Sequence, residues 1–134
     1  GYQFSDVIDK FEYSSSANAT NVGDLLVARN IESAQTDVIT SNAGYVSCGY
    51  NGSNSAVIEK HSFASDIDSA DVSNNTIARR EASGQSSEND GYTSGGYVSG
   101  NSDVIDEFNF ASQGDATDVG NLAVGQPARC GTQV

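Results

Sequence analysis

Ser5-Asp6-Val7-Ile8-Asp9-Lys10-Phe11 decides the fold, because the chain writes it three times. It returns as Ser55-Ala56-Val57-Ile58-Glu59-Lys60-His61, and again as Ser102-Asp103-Val104-Ile105-Asp106-Glu107-Phe108. The offsets are 50 and then 47 residues. The match runs on without gaps. Ala19-Thr20-Asn21-Val22-Gly23-Asp24-Leu25 aligns with Ala116-Thr117-Asp118-Val119-Gly120-Asn121-Leu122, and Ser69-Ala70-Asp71-Val72-Ser73-Asn74-Asn75 is a more worn copy. Val27-Ala28-Arg29 and Ile77-Ala78-Arg79 close the first two copies, whereas the third ends in Val124-Gly125-Gln126.

A second piece recurs between these blocks. Gly44-Tyr45-Val46-Ser47-Cys48-Gly49-Tyr50 matches Gly91-Tyr92-Thr93-Ser94-Gly95-Gly96-Tyr97, and Gly1-Tyr2 reads as the tail of a further copy. A small-residue segment precedes each: Ser33-Ala34-Gln35, then Ser83-Gly84-Gln85, with Cys130-Gly131-Thr132-Gln133 as the start of another. The expected organisation is one repeat domain over 1–134, with repeat blocks 5–29, 55–79 and 102–126 joined by segments 30–50 and 81–97. Each repeat holds four short strand candidates, with a polar turn between the third and fourth. Adjacent Val7 and Ile8 point to opposite faces of a strand. Val7, Ile8, Val57, Ile58, Val104 and Ile105 are therefore expected to be buried, as when sheets stack face to face.

Composition agrees with an all-β reading. There are 12 Val and 7 Ile against 3 Leu, with no Met and no Trp. Val and Ile fit a pleated surface, while the straight-chain helix formers are nearly missing. Fourteen Gly, 20 Ser and 12 Asn supply turns. The net charge of −12 points away from nucleic acid and anionic membranes as partners, since both need basic surface. No apolar run approaches a transmembrane helix or a signal-peptide core. The absence of Met leaves three origins open: a processed mature form, a piece of a longer polypeptide, or a sequence read from a map.

Four strands in 47–50 residues is the size of a propeller blade. The repeat resembles a kelch-type β-propeller blade, with a Gly-Gly pair ending a strand at Gly95-Gly96 and Cys48-Gly49 in its place one copy earlier. The Val-Ile-Asp-Lys-Phe strand, the Ala-Thr-Asp-Val-Gly-Asp-Leu strand and the following Ala-Arg resemble the kelch-like arrays of virion and tail-associated proteins of tailed phages from aquatic bacteria. Two departures stand out: the kelch Trp is missing, and there are fewer than three complete repeats where a closed propeller needs at least four blades. The expected fold is all-β, about two and a half to three four-stranded kelch-like blades. They form a propeller-like or open repeat assembly completed by another chain. The resemblance implies a structural, self-assembling protein of a virion or extracellular fibre. The alternative is a carbohydrate- or receptor-binding, lectin-like module.

The ends lead to an expectation about partners. The chain starts within a second strand and stops within a first, so copies are expected to join through Gly1 to Phe4 and Arg129 to Val134. Joining that closes after two chains gives a six-blade ring, and joining that does not close gives a filament.

His61 is the only histidine and fills the slot of Phe11 and Phe108, so it reads as an aromatic filler; one His without a partner constellation is a poor base. No catalytic residue, cofactor or transition metal is expected, and the chain is not read as an enzyme. Cys48 and Cys130 form a disulfide or remain two buried thiols. Asp66, Asp68, Asp71, Asp115 and Asp118 are calcium candidates on oxygen chemistry, although Asp is also an ordinary turn former. Asn18, Asn51 and Asn74 head sequons. Tyr45, Tyr50, Tyr92 and Tyr97 recur by repeat and are candidate sugar platforms if exposed on one face. Arg29 and Arg79 are expected to pair within a blade with the acidic set Asp9, Glu59 and Asp106.

Overall fold

All three Val-Ile pairs lie in equivalent β-strands of the computed structural model, which describes residues 3–127. Ten strands and no helix occur among the described residues: β1 (Ser5–Lys10), β2 (Thr20–Arg29), β3 (Ser33–Asp37), β4 (Ala43–Ser47), β5 (Ser55–Ser62), β6 (Ala70–Arg79), β7 (Ser83–Ser86), β8 (Asp90–Ser94), β9 (Val104–Asn109) and β10 (Thr117–Asn121). They form three antiparallel sheets, with sequence neighbours paired throughout. Sheet 1 is β1-β2, sheet 2 is β3-β4-β5-β6 and sheet 3 is β7-β8-β9-β10. Among the described residues the sheets do not close into a ring. Gly1, Tyr2 and the segment 128–134, with Arg129 and Cys130, lie outside the described residues, and so do the expected end contacts and disulfide.

The repeat extends to backbone detail. Register shifts fall at Ser5/Val7 and Ile8/Asp9 in β1, and at Ser55/Val57 and Ile58/Glu59 in β5. Such bulges bend a strand and increase its twist. The turn after β4 places Cys48 at φ 65° and Gly49 at φ 107°, and the turn after β8 places Gly95 at φ 66° and Gly96 at φ 99°. This left-handed conformation is the physical demand behind the Gly-Gly pair. Cys48 meets it at some conformational cost.

The sheets pack face to face, and the closest approach is between the first strands. A Cβ on Gly84 of β7 would lie 2.1 Å from the Ala34 carbonyl oxygen of β3, so only glycine permits this spacing. The core lies between sheets 2 and 3: Ala43, Tyr45, Ile58 and Val72 from one meet Phe108, Phe110 and Ala116 from the other. The Tyr45 ring stacks on Phe110 at 5.0 Å and tilts against Phe108 at 5.3 Å, and the two phenylalanines meet edge to face at 5.4 Å. Beside it runs a buried polar row. Gln35 Nε2 donates to Thr93 Oγ1 and the Tyr92 carbonyl, both at 2.9 Å, and Ser47 Oγ lies 3.0 Å from Thr93 Oγ1.

The Val-Ile pairs are less buried than their repetition implies. Of the six Val-Ile residues only Ile58 is fully buried; Val57, Val104, Ile8 and Ile105 are half-buried, and Val7 is 49 % exposed. Ile58 is covered by sheet 3, whereas among the described residues Ile105 has no sheet against it and Ile8 faces sheet 2 across an unfilled cavity.

The β3–β4 hairpin is held by one carboxylate. Buried Asp37 accepts from the amides of Ile39 (3.0 Å), Thr40 (2.8 Å) and Ser41 (2.8 Å), and from the Ser41 hydroxyl (2.7 Å). Burial alone would raise its pKa, but these donors together hold it below the ordinary 3.8. Asp37→Asn is expected to lower unfolding free energy by about 1–3 kcal/mol at pH 7 in urea titrations. A lowered folded-state pKa means that the stabilisation is complete above the unfolded value and is lost as pH falls through the folded one. The gap between wild type and Asp37→Asn should therefore be constant above pH 5 and shrink below 3.8. A gap independent of pH would contradict this account.

Candidate functional site

The fourth strands of the first two repeats, β2 and β6, end in arginine, and both arginines reach forward to the next sheet. Arg29 Nη2 of sheet 1 lies 2.5 Å from Glu59 Oε1 of sheet 2, and Arg79 Nη2 of sheet 2 lies 2.9 Å from Asp106 Oδ2 of sheet 3. The partners are those expected from the repeat, but the pairs join successive sheets and do not lie within one. The reason is direction: the β2 and β6 strands run along the face of the following sheet, so their backbones bind it too. Leu26 N donates to Glu59 Oε2 at 2.8 Å, and Thr76 N donates to Asp106 Oδ2 at 3.1 Å. Ser69 Oγ also donates to Glu59, and Arg79 Nη2 donates to the Thr93 carbonyl at 2.8 Å. Each seam is thus built on one buried, multiply bonded carboxylate.

The turn carboxylates serve the same seams. Asp24 N donates to Asp68 Oδ1 at 3.1 Å, and Asn74 N donates to Asp115 Oδ1 at 3.0 Å. The return bonds run from Ser69 N to the Asp24 carbonyl and from Ala116 N to the Asn74 carbonyl. Asp66 faces Lys10 at 3.8 Å on the surface, Asp118 accepts from Gly120 N, and Asp71 is exposed in β6. No three His, Cys, Asp or Glu residues gather to hold a metal ion among the described residues. Asn18, Asn51 and Asn74 are all exposed, and the Asn74 amide faces Asp115 at the seam of sheets 2 and 3.

The four recurring tyrosines separate into different environments and do not share a face. Tyr45 is a core residue, 1 % exposed, and burial, the first of several causes, raises its pKa above 10.0. That excludes it as a sugar platform. Its repeat equivalent Tyr92 is half-buried on the outward face of sheet 3; its hydrogen bond to Glu107, then burial, raise its pKa. Tyr50 and Tyr97 clamp the Arg80 guanidinium at 4.9 and 4.6 Å, and Arg80 Nη1 donates to Asn54 Oδ1 at 2.9 Å. Sequence reading missed this clamp, because Arg80 has Asn30 as its repeat equivalent. Cys48 is fully buried and receives a 3.4 Å contact from Asn75 Nδ2. Desolvation pushes its thiol up to about 11, which keeps it protonated and unreactive at neutral pH.

The other notable feature is a cavity of about 540 Å³ between sheets 1 and 2. Ile8 and Val22 line it from sheet 1, and His61 and Phe63 from sheet 2, with Phe11 and Tyr13 at its border. These positions are the repeat equivalents of the closed core one seam later. Ile8 corresponds to Ile58, Val22 to Val72, His61 to Phe108 and Phe63 to Phe110. His61 thus holds the aromatic place expected for it, with its Nδ1 buried and without a hydrogen-bond partner. Sequence reading missed the pairs Phe11/Tyr13, His61/Phe63 and Phe108/Phe110, although their common two-residue spacing was visible. No known protein-family model matches the chain, and neither does any curated protein.

Proposed function

We propose that this is a non-enzymatic structural repeat protein of a virion or extracellular fibre, which assembles by continuing its own sheet stack between polypeptides. Its sheets would then be kelch-like blades in an open or ring-forming array. The observation that carries this reading is the repetition of one inter-sheet seam, arginine to carboxylate and β-strand backbone to carboxylate, at two successive joints. The outer faces carry the same residue types as the inner ones. Sheet 3 presents Tyr92, Ile105 and Val119 where sheet 2 uses Tyr45, Ile58 and Val72. Phe11 and Tyr13 stand where sheet 3 has Phe108 and Phe110, yet Tyr13 is 96 % exposed. Exposed apolar surface of this kind marks an interaction site. The titratable groups support a non-catalytic role, since Glu59, Asp106, Asp68 and Asp115 are all engaged in seams.

Light scattering tests the reading. The wild-type mass should rise with protein concentration, while Tyr92→Asp and Tyr13→Asp should each remain monomeric with unchanged circular dichroism. An equimolar mixture of the two variants should recover a dimer, because each keeps the face that the other lacks. A wild type that stays monomeric at all concentrations would sink the proposal.

A further inference from the structure

We propose that the cavity between sheets 1 and 2 is a docking slot for one β-strand of the form Gly-Tyr-x-Ser, the second strand of this repeat. The inference rests on the reading of the chain as a stack of repeated sheets, and it names the strand that completes sheet 1 and its register.

The closed seam supplies the template. Between sheets 2 and 3 the apolar space is filled by one side chain from a second strand, Tyr45, which lies over Phe108 and Phe110. Tyr45 is carried on β4, which pairs antiparallel with β5. Between sheets 1 and 2 the floor and walls are the same by repeat: Ile8, Val22, His61 and Phe63. Among the described residues β1 pairs only with β2, and no second-strand tyrosine fills the space, Tyr13 standing at its border. A volume of about 540 Å³ falls within the roughly 300–1,000 Å³ of sites that enclose a ligand-sized group.

The register follows from two independent copies. Tyr45 lies opposite Lys60 and Tyr92 opposite Glu107, so the incoming tyrosine lies opposite Lys10. Ser47 pairs with Ile58 and Ser94 with Ile105, so the incoming serine lies opposite Ile8. Gly44 pairs with His61 and Gly91 with Phe108, which places the incoming glycine opposite Phe11. Glycine is needed there because the aromatic ring lies over it: a Cβ on Gly91 would meet Phe108 at 2.4 Å. Strand addition of this kind takes affinity from main-chain hydrogen bonds at an open edge and specificity from a side-chain pocket. Sugar or a free phenol would use the pocket but leave the β1 edge unpaired.

The test uses a fluorescently labelled peptide with the sequence of Gly91–Tyr97, which avoids the thiol of the other copy. Fluorescence anisotropy with the full chain measures binding, at protein concentrations where light scattering reports monomer. The ring signals of His61, the only histidine, report on the pocket by NMR. Saturable binding is expected, with a shift of the His61 signals. A peptide with the Tyr92→Ser change should bind at least tenfold more weakly, and N-acetyltyrosinamide at least a hundredfold more weakly. No binding at millimolar peptide overturns the proposal, as does equal binding of the serine peptide. Tyrosinamide binding as tightly as the peptide would identify a small-molecule aromatic site and also overturn it. Because the protein is monomeric under these conditions, this result is separate from the self-association experiment.

Discussion

Arg79→Ala should lower the unfolding free energy by about 3–5 kcal/mol, the range for removing one partner of a buried ion pair. The guanidinium is fully buried, 0 % exposed, and binds Asp106 and the Thr93 carbonyl through the same nitrogen. Alanine would leave the Asp106 carboxylate, 1 % exposed, with only the Thr76 amide and hydroxyl as donors. An uncompensated buried charge is what makes the loss large, not the strength of the pair itself. Arg79→Lys should recover only part of it, because an ammonium lacks the second Nη, which donates to the Val104 carbonyl at 3.4 Å. Equilibrium urea unfolding measures both variants. An alanine variant within 1 kcal/mol of wild type would show that the seam does not depend on the ion pair.

Phe110→Ala should cost a similar amount, about 3–5 kcal/mol, because a large buried ring leaves a cavity that its neighbours only partly fill. Phe110 is 1 % exposed, stacks on Tyr45 and meets Phe108 edge to face. Its repeat equivalent Phe63 is 44 % exposed beside the open cavity. Phe63→Ala should therefore cost well under half as much in the same measurement. Equal losses at the two positions would mean that the first seam is as well packed as the second, against the geometry described above.

How far the sequence reaches differs by level. The strand positions were legible, because an ungapped repeat with β-branched pairs leaves little freedom in local geometry. The turn at Cys48-Gly49 was legible through Gly95-Gly96, since both need positive φ. The acidic partners of Arg29 and Arg79 were legible too, but not the sheet in which each partner lies. An offset of one repeat looks the same whether the bond runs within a unit or to the next one. Arg80 between Tyr50 and Tyr97 was not legible, because the clamp joins two repeats and its centre does not recur.

By itself the sequence determined an all-β chain and the residues that occupy equivalent places in its repeat. Only the tertiary structure decided which of those places are buried. Ile8 and Ile58 hold equivalent places in the three-fold motif, yet the first is half-buried and the second 0 % exposed. A repeat specifies local conformation through backbone preferences and side-chain alternation, which act over a few residues. Burial depends on whether a neighbouring sheet covers the face and on whether side chains fill the space between the two. That is why Ile58, Tyr45 and Phe110 close one core, while Ile8, His61 and Phe63 line a cavity.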